Sequence, residues 1–581
     1  MLTGDIRNQV DRIWDAFWSG GIANPVDVVE QITYLLFLKR LDEVQELEER
    51  KAARLGKPMT RRIFPEGGDP KGTPYEDFRW KRLKNASPQA MYSLLADHIF
   101  PWLRTLGEGS TYAQYMRDAR FTIPESLVAK AVDLIDSVPM DDRDTKGDVY
   151  EYMLGKMATS GTNGQFRTPR HIIRLMVEMM APTPKEVMVD PAAGTCGFLM
   201  VTGEYLRDTH PDLFADPKLN KHFHQGLFHA FENDAAMLRI GSMNMLLHGV
   251  ENPDVQRRDA LAQDHSGEEE KYTLVLANPP FAGSLDHENV AKDLQQVVKT
   301  KKTELLFLAL VLRLLKPGGR AAVIVPAGVL ESEGQAHQTI RRLLIEQNRL
   351  EAVIMLPHWV FKPYASVSTA ILVFSRSGVT EKAWFYRLEN DGYSKDAAKT
   401  EIAGSEVPDV LALWKTRNRP DYSPLPKKHR FVTREEIVDN DYDLCERVYL
   451  SGYKYPDNIP LRRIDELFDV KRGNAAAADA VEGMYQFVTS SEEIRTFSSY
   501  SFNCEAICIP LVSSTGHGHA SIKRIHYVSG KFEAASIVAV LTPKARAKIY
   551  VPYVYYFLLA HKDDLLVPLM RGAANVSLRT C

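Results

Sequence analysis

A doubly wound, parallel α/β sheet, preceded by an all-helical segment and followed by a smaller strand-rich unit, is the fold this sequence predicts. Three observations carry that prediction. Apolar residues at three- and four-residue steps dominate residues 1–160, short β-rich runs alternate with helical stretches from about residue 183, and short strand-like runs return after residue 455. At 581 residues the chain has room for roughly three or four folding units of about 150 residues each.

In the first segment Val26, Val29, Ile32, Leu35, Leu36, Leu38 and Leu41 recur at helical spacing and run into the charged stretch EVQELEERKAARLG, so residues 1–160 are expected to form a helical domain. The texture then changes to EVMVDPAAG, LFHAFEND, YTLVLANPPF, RAAVIVPAG, LEAVIMLP and STAILVFSR. Short apolar runs of this kind, separated by helical stretches, suit a parallel sheet covered by helices, expected over 161–400. TELLFLALVLRLLKPGG reads as a buried helix stopped by its glycine pair. Residues 401–455 lose this periodicity around PDYSPLPKKHR and are expected to be a linker. The last unit, 456–581, combines short strands, a glycine-rich turn at STGHGHAS and an aromatic helix YVPYVYYFLLAHK.

Composition removes several classes of function. Hydrophobic residues at 45% and charged residues at 25% are the averages of globular proteins, which excludes collagenous, low-complexity and wholly disordered chains. Seventy-two basic against 75 acidic residues leave a net charge of -3, which excludes a uniformly basic nucleic-acid coat and permits a local basic face. Cys196, Cys445, Cys504, Cys508 and Cys581 are odd in number, and the close pair Cys504 and Cys508 has no second pair to complete a zinc site; reduced thiols are expected. The start, MLTGDIRNQVDRIW, is charged and amphipathic, and no run of about 18 apolar residues spans a bilayer, so a soluble cytoplasmic protein is expected.

Chemistry first shows at Asp190-Pro191-Ala192-Ala193-Gly194-Thr195-Cys196-Gly197, directly after the strand-like EVMV. Small residues at a strand-to-helix turn let the backbone approach a nucleotide, and the carboxylate can take a donor from it. Such turns are common in α/β proteins, and without GxGxxG spacing a pyrophosphate ligand is disfavoured. About 40 residues on, Glu232 ends the strand-like LFHAFE, placed to accept both hydroxyls of a ribose. Asp259 could accept from an exocyclic amine, although a loop carboxylate of this kind is more often merely solvated. The decisive signal is Asn278-Pro279-Pro280-Phe281 after YTLVLA. Two prolines cannot continue a strand ladder, so the chain must leave the sheet at its carboxyl edge, where ligands of open α/β sheets bind. There the Asn278 amide oxygen, with a nearby backbone carbonyl, can accept the hydrogens of a planar exocyclic amine, and Phe281 offers a face for an extruded base.

The order DPAAGTCGF, FEND, NPPF is similar to that of the amino-group DNA methyltransferases, which use S-adenosylmethionine. Upstream, GQFRTPRHI (164–172) resembles the cofactor-binding segment of the modification (M) subunits of type I restriction–modification systems, as do YLLFLKRLDE, LRIGSMNMLLHG and LPHWVFKPYASVSTAILVF. The resemblance covers about residues 5–450. It implies a Rossmann-like S-adenosylmethionine-dependent methyltransferase sheet whose cofactor site comprises Gln165, Phe166, Arg167, Thr168, Pro169, Arg170, Asp190, Ala193, Gly194, Thr195, Gly197, Glu232 and Asp259. It further implies catalysis at Asn278, Pro279, Pro280 and Phe281, with N6 of adenine in double-stranded DNA as the acceptor. The implied partners are a specificity subunit or a second copy of the chain, and a restriction (nuclease) subunit. Many relatives carry a second glycine where this chain has Cys196; a negative φ and retained binding are expected there.

PLRRIDELFDVKRGN, EAICIPLVSSTGHGHASIKRIHYVSGKF and VPYVYYFLLAHKDDLLVPLMRGAANVSL resemble one α+β target-recognition domain of a type I specificity (S) subunit. Fourteen basic against 11 acidic residues in 461–581 give a net of +3, a mild excess that supports DNA contact only weakly; a generic β-rich dimerisation domain is the alternative. Asp27, Glu49 and Lys51 mimic a nuclease acid-and-ExK set but sit in helix-periodic sequence, so cleavage by this chain is rejected. His222, His224 and His229 lack partners at ligand spacing, and methyl transfer needs no metal. Beside the adenine enzyme stand cytosine N4 as the methylated position, or an inactive fold serving as a DNA-recognition scaffold for a nuclease; an amide acceptor at 278 favours the enzyme.

Overall fold

Helix signals at the start of the chain act as the sequence suggests. α1 spans Gly4–Ser19 and α2 spans Pro25–Leu55, the latter opened by Asn24, whose side chain accepts from the Val26 N–H at 3.0 Å, and closed by Gly56 at φ 62°. α3 spans Glu125–Asp136. Val29, Ile32, Leu35 and Leu36 are buried in one core with Val128, Val132 and Ile135 of α3. Asp27, Glu49 and Lys51 all lie on α2, and Glu49 is engaged by the buried Arg79 at 2.8 Å, which also holds Asp42 at 2.6 Å.

The computed structural model describes residues 4–22, 24–59, 62–106, 116, 119–138, 149, 152–156, 168–262, 267–281, 283–362, 365, 367–396, 399–450, 464–476, 481–511, 524–562, 570–571 and 575–576. They fall into two units: one of residues 1–329, 334–381 and 388–422, the other of 330–333, 382–387 and 423–581. Among the described residues no helix is long and apolar enough to cross a membrane.

In the first unit the chain continues through α4 (Arg170–Met180), β1 (Met188–Asp190), α5 (Gly197–Thr209), β2 (Phe228–Glu232), α6 (Ala235–Leu247), β3 (Asp254–Arg257) and β4 (Tyr272–Ala277). It proceeds through α7 (Thr303–Leu314), β5 (Leu315–Pro326), α8 (Gln335–Glu346), β6 (Arg349–Leu356) and β7 (Thr369–Ser375). The strand order is β3-β2-β1-β4-β5-β7-β6. β3, β2, β1, β4 and β5 pair in parallel, whereas β7 inserts antiparallel between β5 and β6. This corrects the expectation of a wholly parallel sheet. Among the described residues between β6 and β7 no helix carries the chain back across the sheet, and it reverses beside the strand it has left. Sequence reading also missed β3, DVQR, whose polar side chains carry no apolar run.

Two further details position the site. Leaving β1, the chain goes first to β2 and β3 on one side and then to β4 on the other, so the topological switch lies at β1 and β4, where open sheets bind ligands. On α6, Met237, Ile240, Met243 and Leu247 join the N-terminal core, and Arg239 pairs with Glu30 of α2, so the helical segment buttresses the helix that follows Glu232.

The stretch expected as a linker, 401–455, instead carries regular structure. α9 (Val407–Thr416) belongs to the first unit, where its buried Trp414 donates to the Met179 carbonyl at 2.8 Å. In the second unit β8 (Lys382–Arg387) pairs antiparallel with β9 (His429–Thr433). The prolines that mark this stretch as a break sit beside elements anchored by distant partners, a tertiary effect that local pattern does not carry.

The second unit also contains a six-stranded sheet. Its strands are β10 (Phe468–Arg472), β11 (Tyr485–Val488), β12 (Arg495–Phe497), β13 (Phe502–Pro510), β14 (His526–Ala534) and β15 (Val538–Pro543), in the order β10-β15-β13-β14-β11-β12. Alternation along β13 sends Ile507 and Ile509 to a core with α10 (Val551–Ala560), and Ala506 and Cys508 to a second core with Phe487 and Phe532. The expected turn STGHGHAS lies outside the described residues.

Candidate active site

The carboxyl ends of β1, β2 and β4 meet at one edge, because Asp190 registers with Ala230 and Val189 with Val275. Asp190, Glu232 and Asn278 leave their strands there. They line one cavity of about 390 Å³, together with Thr168, Ala193, Gly194, Thr195, Gly197, Asp259, Pro279 and Pro280.

The loop after β1 is held by its own backbone and by α6. Ala193 N–H donates to the Phe231 carbonyl at 3.1 Å, and Asn244 of α6 donates to the Thr195 carbonyl at 2.8 Å. Gly194 takes φ 50° with open space where a Cβ would sit. Cys196 takes φ 61°, against the expected negative value, and caps α5 through its carbonyl, which accepts from Met200 N–H at 3.0 Å. The left-handed conformation costs cysteine about 1–2 kcal/mol, offset by burial of its side chain and by that helix bond. Gly241 of α6 permits the close approach: a Cβ there would lie 2.8 Å from Cys196 Sγ and 2.9 Å from the Gly194 carbonyl oxygen. The sequence offered only the G within LRIGSMNM as a signal for it.

Glu232 is oriented by two backbone donors, Gly194 N–H at 2.8 Å to Oε2 and Asp234 N–H at 2.8 Å to Oε1. Each oxygen keeps a lone pair for a further donor. Burial raises its carboxyl above the ordinary value, against the lowering effect of those two donors. Asp190 is 1% exposed, and burial pushes its carboxyl up to about 8, with one counteracting bond from Ala192 N–H. Asp259 accepts from Leu261 N–H at 3.0 Å, which fixes it at the cavity wall.

Asn278 is locked by its amide nitrogen, which donates to Thr168 Oγ1 at 2.8 Å. Its Oδ1 is buried and has no hydrogen-bond partner among the described residues. A buried acceptor left open in a cavity is costly to the fold and chemically poised for a donor. Phe281, expected to offer a stacking face for the base, is 7% exposed and packs edge-on against Phe361, centroids 5.0 Å apart. Its ring is held by a second aromatic and is not among the residues that line the cavity.

Pro169 and Arg170 depart from expectation. Pro169 is the N-cap before α4, both contacts of the Arg170 guanidinium to Glu204 measure 2.9 Å, and neither residue lines the cavity. Gln165, Phe166 and Arg167 lie outside the described residues. Sequence reasoning named no role for the apolar lining Ile173, Phe198, Phe231, Leu261 and Phe307; only Phe198, in DPAAGTCGF, and Phe231, next to Glu232, had a local signal.

A small-residue turn, a carboxylate ending the next strand and a proline-fixed amide oxygen surround one cavity at the switch point, where open α/β sheets bind ligands. The N-6 DNA methylase family profile matches residues 141–457, more than half of the chain, and the HsdM N-terminal domain profile matches residues 6–136. Among curated relatives, the type I restriction enzyme EcoEI methylase subunit of Escherichia coli is 29% identical over 442 residues, covering 73% of this chain and 86% of that protein. The EcoKI methylase subunit of Escherichia coli strain K12 is 29% identical over 419 residues, covering 67% and 72%. A solved type I restriction-modification methyltransferase subunit from Streptococcus thermophilus shares the fold, with a TM-score of 0.60 at 21% identity over 77% of this chain and 99% of that one. The chain belongs to the N-6 DNA methylase family. Its reaction is transfer of a methyl group from S-adenosylmethionine to N6 of adenine in DNA, and its helical start before the methylase sheet is that of a type I modification subunit.

Proposed function

We propose that Asn278 is the group that receives the target amine, and that Asp190, Gly194, Glu232 and Asp259 hold the cofactor beside it. The carrying observation is the Asn278 amide: its nitrogen is fixed on Thr168 while its buried oxygen stays open in the cavity shared with Asp190, Glu232 and Asp259. The cofactor, when bound, supplies a methyl group on a positively charged sulfur. Glu232 would accept the ribose hydroxyls, Asp259 an adenine amine, and Asp190 a donor near the loop, while Thr168 closes the cavity from the α4 side. Asn278 Oδ1 accepts a hydrogen of the extruded adenine amine, which keeps the nitrogen lone pair directed at the methyl carbon.

Because its relatives are named as methylase subunits of type I restriction enzymes, we place this chain in such an assembly, with a specificity subunit or a second copy, a restriction subunit and duplex DNA. The methylase family match ends at residue 457, and the six-stranded unit beyond it is proposed to read DNA sequence, since a site built for one extruded base does not itself read the neighbouring base pairs. Buried reduced Cys196, Cys445 and Cys508 suit the cytoplasm. Sequencing that reports modified bases, on DNA from cells expressing the chain with its partners, tests the reading: N6-methyladenine at one recurring site is expected, and N4-methylcytosine or no modification overturns it.

A further inference from the structure

Outside the cavity, a fully buried carboxylate joins the two arms that hold the NPPF segment. Asp391 is 1% exposed, and its oxygens are taken by different elements. Oδ2 accepts from His171 Nε2 at 3.1 Å, in the first turn of α4. Oδ1 accepts from the Trp359 indole N–H at 3.3 Å, in the loop that follows β6. Tyr393 stacks on the His171 ring with centroids 4.3 Å apart, and Lys399 Nζ donates to the Trp359 carbonyl. Gly392, at φ 88°, makes the turn that permits this. A Cβ there would meet Ser405 Cβ at 2.8 Å.

Each arm continues into the site. Three residues before His171, Thr168 accepts from the Asn278 amide at 2.8 Å. Two residues after Trp359, Phe361 packs on Phe281. Burial alone would raise the Asp391 carboxyl, but the His171 bond and the nearby charges of His171 and Lys399 hold it below its ordinary value. A buried, fully engaged charge adds little stability over apolar packing, so fixed geometry is the better account of it.

We propose that Asp391 is a positioning residue for methyl transfer, clamping the 168–171 arm to the 359–361 arm so that the Asn278 oxygen and the Phe281–Phe361 pair stand in register with the target base. The proposal rests on the reading of Asn278 given above. The test compares Asp391→Ala, Asp391→Asn and Asn278→Ala in the full chain assembled with its partners, measuring kcat and KM for unmethylated DNA, cofactor affinity by calorimetry and melting temperature. Displacing a reacting group by about 1 Å costs on the order of 10²-fold in rate. Asp391→Ala is therefore expected to lose about that much in kcat with cofactor affinity unchanged, and Asp391→Asn, which still accepts from Trp359, to recover most of it. Unchanged kcat in Asp391→Ala, or a loss that tracks lost cofactor binding and lowered melting, overturns the positioning role. An inactive Asn278→Ala beside a fully active Asp391→Ala overturns that role alone, whereas an active Asn278→Ala overturns the underlying reading and the clamp with it.

Discussion

Replacing Asn278 by alanine separates catalysis from stability, and both magnitudes follow from its contacts. The substitution deletes the bond from the amide nitrogen to Thr168 Oγ1, 2.8 Å long, whose net contribution is about 0.5–1.5 kcal/mol. It also deletes a buried Oδ1 with no partner, whose desolvation costs the folded state about 1–3 kcal/mol. The two terms largely offset, so the melting temperature of the cofactor-free chain is expected to stay level or rise. Methyl transfer loses its positioned acceptor, and by analogy with removal of an oxyanion-hole donor the rate falls by about 10²–10³. Single-turnover transfer of labelled methyl into unmethylated DNA, beside a thermal melt, measures both. A variant that keeps more than about a tenth of the wild-type rate would refute the acceptor role, since even the low end of that loss is larger.

The remaining predictions concern the loop, its carboxylates and the last unit. Glu232→Ala should weaken S-adenosylmethionine binding by about 1.5–3 kcal/mol, the range for charge-assisted hydrogen bonds; calorimetry showing unchanged affinity removes the ribose role. Asp190 titrates at about 8 when folded against 3.8 unfolded, so between these values the folded chain holds the extra proton. The stability it contributes is thus complete below about pH 4 and lost as pH rises through about 8, and Asp190→Asn should abolish that slope in denaturant titrations; an identical slope in the variant counts against it. Gly241→Ala puts a methyl 2.8 Å from Cys196 Sγ and 2.9 Å from the Gly194 carbonyl, so overpacking of about 1–3 kcal/mol should appear as lower melting and weaker cofactor binding together; no change in either contradicts the close approach. Deleting 456–581 should end sequence-selective methylation and spare cofactor binding; a truncated chain, assembled with the same partners, that marks the same sites makes this unit an assembly surface.

DPAAG, FEND and NPPF were legible in the sequence because their chemistry is local: each sits where an apolar run stops, and a proline or small residue forces the chain off the sheet at its carboxyl edge. The helical start was legible for a similar reason, as Val29, Ile32 and Leu36 repeat at the period of the face they bury. What the sequence left undecided depends on partners far along the chain. The direction of β7 follows from which neighbours it pairs with, and the left-handed Cys196 is tolerated because Gly241, 45 residues on, has no side chain to meet it. That Phe281 packs against Phe361, 80 residues on, is likewise a tertiary contact that no local pattern carries. His171 and Asp391, 220 residues apart, have no pattern in common, and only packing of the loop after β6 against the start of α4 brings a carboxylate between two donors. Burial then decides chemistry as well as shape, since the same aspartate side chain sits above its ordinary acidity range at Asp190, with a single backbone donor, and below it at Asp391, where two side-chain donors compensate for lost water.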